Sequence, residues 1–274
     1  MNILRIALYC LIGGLVITFA AAGTGGFAWW WLAGILFAAA FVPVARFGPR
    51  GVPAQFGVIV PVFLIVTLAC TWSEALIFLP EFQQHVTVRD FVAAAVMYAI
   101  FAAVLAALAV LLNLRQAERP RAELRPARTL VPLVLVCGLA YAFYYLVFGS
   151  ITYQFFTKQY NPHAAELVAR VGVWFWPIQI ARGVVMTLAV LPVIRTLRLS
   201  RWQTAIAVGV LIWVTGGLAP LVQPNIGMGP RQRFAHVIEI LTQNASLGIT
   251  AGLLLLRRKP VASANAAPTA AVAA

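Results

Sequence analysis

The chain has 274 residues, of which 62% are hydrophobic and only 10% are charged. Soluble globular domains carry about 25% charged residues, so this composition cannot cover a water-exposed surface and excludes a soluble enzyme, a disordered chain and a disulfide scaffold. The net charge of +13 does not indicate nucleic-acid binding, because the basic residues lie in short blocks between long apolar segments. We therefore predict a polytopic membrane protein without a nucleic-acid partner.

Eight apolar segments are long enough to cross a membrane, which takes about 17–25 residues of α-helix. Their lack of strict alternation between apolar and polar residues excludes a β-barrel, so the predicted fold is an all-α helical bundle in one transmembrane domain, residues 1–259. Residues 260–274 are rich in alanine and carry no charge, which predicts a disordered tail. The predicted helices are Ile6–Ala22, Phe27–Val44, Phe56–Leu79, Phe91–Leu112, Leu130–Phe148, Val171–Ile194, Thr204–Val222 and Phe234–Leu256.

The basic residues are divided unequally between the two sides of this bundle. Fourteen of the 20 Lys and Arg residues lie on one side, and the positive-inside rule places that side, with both termini, in the cytoplasm. The predominance of Arg over Lys favours a bacterial source, and hence the bacterial inner membrane. The first segment also resembles a signal peptide, with Arg5 before it and Ala20–Ala22 at its end, but we predict an uncleaved helix. The fourteen are Arg5, Arg46, Arg50, Arg115, Arg119, Arg121, Arg125, Arg128, Arg195, Arg198, Arg201, Arg257, Arg258 and Lys259.

Ionisable residues inside the predicted spans are functional candidates, because each costs about 2.5–3.5 kcal/mol to insert. Glu74 lies near the outer end of the third span, and Arg182 follows Gln179 by three residues in the sixth. Counted from Arg170 along an unbroken helix, Arg182 would lie roughly 18 Å deep, near the bilayer centre. An arginine at that depth needs an acidic partner, and we predict Glu74 or Glu239.

The eighth span carries a stripe of polar residues on one helical face. His236, Glu239, Gln243, Ser246 and Thr250 recur at steps of three and four residues, and Asn244 lies beside them. A transmembrane helix with such a face should meet protein, water or a ligand there rather than lipid.

These residues predict an outward-facing polar pocket lined by the third, sixth and eighth helices. We interpret it as the site of a hydrolase or transferase acting on a lipid or lipid-linked substrate at the outer leaflet, with membrane lipids as partners. The predicted catalytic residues are Glu74, His236 and Glu239, and the predicted substrate-binding residues are Arg182, Gln179, Arg231, Gln243 and Asn244.

Other interpretations of the same residues stay open. They would also suit a proton-coupled small-solute transporter, or a non-catalytic accessory subunit with a membrane-protein partner, in which the polar cluster only holds the bundle together. No metal is predicted, because His236 and Glu239 alone match neither H-E-x-x-H nor paired E-x-x-H motifs. No cofactor is indicated.

One resemblance to a known family involves three residues. The order Cys70, Arg182 and His236 resembles the Cys, Arg and His triad of exosortase-type membrane transpeptidases, which are of similar size, and would imply a nucleophilic cysteine. Cys70 is followed by Thr71 and Trp72 instead of the expected Ser-Gly. We therefore do not assign the chain to that family and interpret Cys70 as a small core residue.

Overall fold

In the computed structural model, residues 3–21, 26–78, 84–116, 122–159, 163–223 and 228–257 are described. These residues contain eight helices long and apolar enough to cross a membrane and no β-strand, which confirms the predicted all-α polytopic bundle. The predicted disordered tail and the basic residues Arg119, Arg121, Arg258 and Lys259 lie outside the described residues. The helices are α1 (Ile3–Ala20), α2 (Phe27–Phe47), α3 (Val52–Phe78), α4 (Val88–Leu111), α5 (Ala127–Phe155), α6 (Phe175–Thr196), α7 (Arg201–Val222) and α8 (Pro230–Leu255).

Two helices begin before their apolar segments because polar residues at their starts provide caps. At the start of α4, the Asp90 amide donates to Thr87 Oγ1 at 3.3 Å and the Thr87 amide donates to Asp90 Oδ2 at 2.9 Å. Ser200 and Gln203 form the same reciprocal pair at the start of α7. Each capping box satisfies two amides that have no partner within the helix, so both helices begin three residues earlier than hydropathy alone predicts.

The predicted sixth helix is interrupted near its start. A short helix, Ala164–Val171, ends at Gly172, whose φ of +61° suits a glycine, and α6 begins at Phe175 after one 3₁₀ turn. The assumption of an unbroken helix from Arg170 was therefore wrong. Arg182 lies seven residues into α6, about 10 Å from the start of that helix. Its depth in the membrane stays a prediction.

Three of the helices contain π-helical segments, in which each turn holds more residues than an α-helical turn. They are Val62–Cys70 in α3, Val214–Leu218 in α7 and Leu241–Ala245 in α8. Such segments change the direction of the side chains on either side and are frequent at functional sites. In this protein, two of the π-helical segments lie in α3 and α8, which carry Glu74 and His236. The third lies in α7, which packs against both of these helices.

Small residues allow neighbouring helices to pack closely. A Cβ atom on Gly34 of α2 would lie 2.5 Å from the carbonyl oxygen of Gly14 in α1. A Cβ atom on Gly248 of α8 would lie 2.6 Å from the Cα of Gly209 in α7. Close backbone approach of this kind replaces the hydrophobic driving force, which is weak between helices in lipid.

Helix α3 lies at the centre of the bundle. It packs against α4 on one side and against α6 and α7 on the other. Its Phe63 is fully buried and contacts the rings of Phe37 in α2 and Phe101 in α4, at centroid distances of 5.3 and 5.2 Å. This position brings Glu74, which lies four residues before the end of α3, towards α6.

The arginine-rich loops meet at one end of the bundle, as the charge pattern predicts. The Gln116 amide donates to the carbonyl of Arg46 at 3.0 Å, and the Arg198 amide donates to that of Phe47 at 2.9 Å. Near the same end, Arg201 donates through its guanidinium to the Leu253 carbonyl at the end of α8. Three loops and the end of α8 therefore form one basic face, hereafter the arginine-rich end.

Candidate functional site

The site begins with an ion pair between α3 and α6. Nη2 of Arg182 donates to Oε2 of Glu74 at 2.6 Å, with the arginine side chain 8% and the glutamate side chain 25% exposed. Nη1 of Arg182 donates to Oε1 of Gln179 at 2.7 Å, one helical turn away. The predicted acidic partner of Arg182 is thus confirmed as Glu74, and Gln179 is confirmed as its neighbour. Charge-assisted hydrogen bonds of this kind compensate a buried guanidinium.

Helix α5 supplies two tyrosines to this ion pair. The hydroxyl of Tyr145 donates to Oε1 of Glu74 at 3.2 Å, and the Arg182 Cζ lies 5.8 Å from the ring centroid of Tyr141. None of the site residues predicted from the sequence lies on α5. The spacing of Tyr141, Tyr145, Gly149 and Thr152 by four, four and three residues could have indicated a face directed into the bundle.

The second part of the site is a histidine–carboxylate pair on α8. Nδ1 of His236 lies 3.1 Å from Oε2 of Glu239, with side-chain exposures of 24% and 13%. Nε2 of Gln243 donates to Oε1 of the same carboxylate at 3.3 Å. Glu239 is therefore held through both oxygens. The α5 backbone approaches closely here, because a Cβ on Gly149 would lie 3.5 Å from Glu239 Oε1.

The two parts form one site. Glu74 and His236 are close enough to interact electrostatically, and Tyr145 experiences the charges of both Glu74 and Glu239. Four helices thus contribute to a single arrangement, which we call the four-helix cluster. Its members are Glu74 of α3, Tyr145 of α5, Gln179 and Arg182 of α6, and His236, Glu239 and Gln243 of α8.

Two of the predicted binding residues lie apart from the cluster's contacts. Asn244 is buried and donates through Nδ2 to the Ile212 carbonyl of α7 at 3.5 Å, so it faces α7 rather than α5. It belongs to the π-helical segment Leu241–Ala245, which changes the side-chain directions along α8. Arg231 is exposed in the first turn of α8, five residues before His236. Thr250, deeper on α8, bonds to the Tyr144 hydroxyl of α5 at 2.8 Å.

Two polar atoms of the cluster are buried and make no hydrogen bond to the described residues. They are Nε of Arg182 and Nε2 of Gln179. Buried polar groups nearly always have partners, so such atoms indicate a place for water or for a polar atom of a ligand. Cys70 is 4% exposed, lies beside Arg182 and forms no disulfide.

Within the described part of the chain, no group of three or more His, Cys, Asp and Glu side chains is arranged to hold a metal ion. Comparison with protein families, curated proteins and solved structures finds no match to this chain. What the residues themselves show is a multi-pass membrane protein with a four-helix cluster of ionisable side chains near one end of its bundle.

Proposed function

We propose that this protein is a membrane-embedded hydrolase or transferase that acts on a lipid or lipid-linked substrate at the outer leaflet of a bacterial inner membrane. The observation that carries the proposal is the convergence of two carboxylates, an arginine and a histidine with graded exposure. Arg182 and Glu239 are 8% and 13% exposed, whereas Glu74 and His236 are 25% and 24% exposed. The buried partners orient groups that a substrate can still reach.

His236 has the geometry of a general base in this proposal. Its Nδ1 is held by Glu239, which leaves Nε2 to accept a proton from a reacting hydroxyl, and Gln243 fixes the carboxylate in turn. Glu74 is bound by Arg182 and Tyr145, so its role is to stabilise the protonated imidazole through its negative charge.

The reaction follows from these roles. Nε2 of His236 takes a proton from water while the water oxygen attacks the carbonyl carbon or phosphorus of the substrate ester. As the bond to the leaving oxygen breaks, His236 returns that proton to the leaving group. In a transferase, a hydroxyl of a second substrate takes the place of water, and no oxidant or reductant is needed. Arg231, exposed at the start of α8, would bind an anionic headgroup.

The surroundings of the cluster support a substrate that enters from the lipid. The short helix Ala164–Val171 packs against the outer part of α3, and the following Val173 and Trp174 are 84% and 68% exposed. Next to them, the buried ring of Phe175 contacts the Tyr145 ring at a centroid distance of 5.7 Å. Exposed tryptophan beside a polar site is typical of the membrane interface, where lipid headgroups lie.

The test compares lipid extracts from cells lacking the gene with extracts from cells expressing each variant at equal abundance. Wild type should change the amount of at least one lipid species, and His236→Gln and Glu239→Gln should match the deletion, because losing a general base lowers the rate by about 10²–10⁴-fold. Thr250→Val is the control and should behave as wild type. Full activity of both site variants would refute the proposal.

A second candidate is proton-coupled transport of a small solute, favoured by the Tyr144–Thr250 hydrogen bond deeper between α5 and α8. A proton path through the bundle needs polar groups between the four-helix cluster and the arginine-rich end, where Tyr144 and Thr250 lie. Proteoliposomes with an internal pH dye distinguish the two. Transport predicts proton flux that Tyr144→Phe and Thr250→Val reduce, whereas the enzyme predicts no flux and no effect of either substitution.

A further inference from the structure

A large cavity lies at the arginine-rich end, away from the four-helix cluster. It has a volume of about 980 Å³ and lies between the start of α5, the end of α6 and the segments 122–126 and 257. Volumes of roughly 300–1,000 Å³ are typical of sites that enclose a small molecule. The lining residues are Ala122, Glu123, Leu124, Pro126, Leu130, Leu188, Leu191, Pro192, Arg195, Thr196 and Arg257.

We propose that this cavity binds an anionic phospholipid of the adjacent leaflet, with its phosphate at the arginines and the first carbons of an acyl chain on the leucines. The proposal is independent of the reaction assigned to the four-helix cluster. Basic loops attract anionic lipids without a defined site. Here the lipid would bind in one cavity that has an apolar wall and a charged rim.

The charged rim favours an anion. Arg195 and Arg257 line the cavity with one acid, Glu123, so the rim keeps a net positive charge. Guanidinium groups bind phosphate through paired N–H donors, and basic pockets between helices on the cytoplasmic side are recognised binding places for anionic headgroups. The amino terminus of α5 borders the same cavity through Pro126 and Leu130 and adds a positive helix end.

The apolar wall opens towards lipid. Leu188 is 47% exposed, and Leu191 and Pro192 continue the same stretch of α6 towards its end. An acyl chain lying along these side chains would leave its headgroup level with Arg195, one turn further along. A soluble anion would gain nothing from this wall, so the cavity matches a lipid better than free phosphate.

Hydrogen bonds between distant segments hold the floor of the cavity in place. The Arg257 amide donates to the Glu123 carbonyl at 2.7 Å, and the Arg125 amide donates to the Leu255 carbonyl at 2.9 Å. Nε of Arg125 also donates to the Leu254 carbonyl at 2.8 Å, so this arginine caps α8. A site fixed in this way needs little reordering when it binds a ligand.

The experiment measures lipid retention by native mass spectrometry of the full chain in nanodiscs of phosphatidylcholine with phosphatidylglycerol. Wild type should retain phosphatidylglycerol preferentially. Arg195→Gln/Arg257→Gln should lower its retention about 30-fold, because roughly 1 kcal/mol per arginine near an anionic surface corresponds to about a factor of five for each. Leu191→Trp, which fills the apolar part without changing charge, should also lower retention. Arg5→Gln/Arg50→Gln, exposed and on the same predicted side, is the matched control.

Each outcome decides the proposal. Equal losses in the cavity and control double variants would indicate general charge attraction and overturn it, as would equal retention of both lipids by wild type. Normal retention by Leu191→Trp, with displacement of lipid by inorganic phosphate, would indicate a free-anion site and also overturn it. If the double variant does not fold, as judged by size-exclusion chromatography, the wild-type preference and the Leu191→Trp result decide the question.

Discussion

Arg182 illustrates how a single charged residue is accommodated in this bundle. The residue is 7% exposed, and its guanidinium contacts the Glu74 carboxylate, the Gln179 amide oxygen and the Tyr141 ring. Desolvating a charge is costly, and the cost is offset when hydrogen bonds and an opposite charge surround it. The same contacts hold Glu74 in one orientation, so stability and the site's geometry depend on the same pair.

Removing one partner of this pair should destabilise the protein more than removing both. We expect Arg182→Met to lower the free energy of unfolding by about 3 kcal/mol, because Glu74 would keep a charge without its partner. Arg182→Met/Glu74→Gln should recover at least half of that loss. The measurement is unfolding by SDS in mixed micelles, combined as a double-mutant cycle.

An exposed ion pair provides the control for this cycle. His163 Nδ1 and Glu166 Oε2 lie 3.2 Å apart, but their side chains are 71% and 64% exposed. His163→Gln should therefore leave stability unchanged within error. If the losses from Arg182→Met and Glu74→Gln simply add in the double variant, the two residues are not energetically coupled.

At the scale of helices, departures from regular α-helix decide which side chains face the cluster. In α8, Glu239 faces α5, whereas Asn244, inside the π-helical segment Leu241–Ala245, faces α7. Gly172 allows the chain to turn between the short helix Ala164–Val171 and α6. Helix α6 begins with Phe175, whose ring packs against Tyr145. Pro177 lies in the first turn of α6, where its missing N–H would have no helical partner.

Close packing of α1 and α2 makes a prediction at this scale. Gly34→Ala should lower the free energy of unfolding by about 1–3 kcal/mol, because the new methyl group meets the backbone of Gly14 at 2.5 Å and the helices must separate. Thermal unfolding in detergent would measure the effect.

The control is a helical glycine with open space around it. A Cβ on Gly57 in α3 meets nothing within 4 Å, so Gly57→Ala should leave stability unchanged or raise it by up to about 1 kcal/mol. Equal effects of the two alanine substitutions would mean that helix propensity, and not the α1–α2 contact, determines the outcome.

Considered as a whole, the molecule separates its polar groups between two ends. The four-helix cluster lies near one end, and the arginine-rich loops with their large cavity lie at the other. Because α3 packs against helices from both halves of the chain, it connects the two groups of helices and carries Glu74 to the other half. The predicted orientation assigns the cluster to the outer leaflet and the arginines to the cytoplasm.

That orientation is directly testable. Gln83→Cys should react with a membrane-impermeant maleimide in intact cells, and Arg121→Cys only after permeabilisation. Both positions lie outside the described residues, in segments that the hydropathy pattern predicts to be loops. The background should carry alanine at Cys10, Cys70 and Cys137, and labelling of both sites from outside would contradict the predicted topology.

The amino-acid sequence by itself determined the eight helices and the grouping of the arginines, because hydropathy, helix length and charge are local properties of the chain. It also indicated most members of the cluster, since polar residues in a span must face the interior. Their catalytic roles stay predictions.

Only the tertiary structure decided which of these residues meet. Glu74 and Arg182 are 108 residues apart in the chain, and no local pattern specifies that this acid, rather than Glu239, pairs with the arginine. Tyr145 is a member of the cluster that the sequence did not predict, and Asn244 is a predicted residue that lies outside it. Both differences depend on which helices are neighbours. Helix packing selects the neighbours: α5 brings Tyr145 to Glu74, and α7 provides the carbonyl to which Asn244 donates. The turn at Gly172 places the start of α6, and so Arg182, where the sequence pattern alone does not.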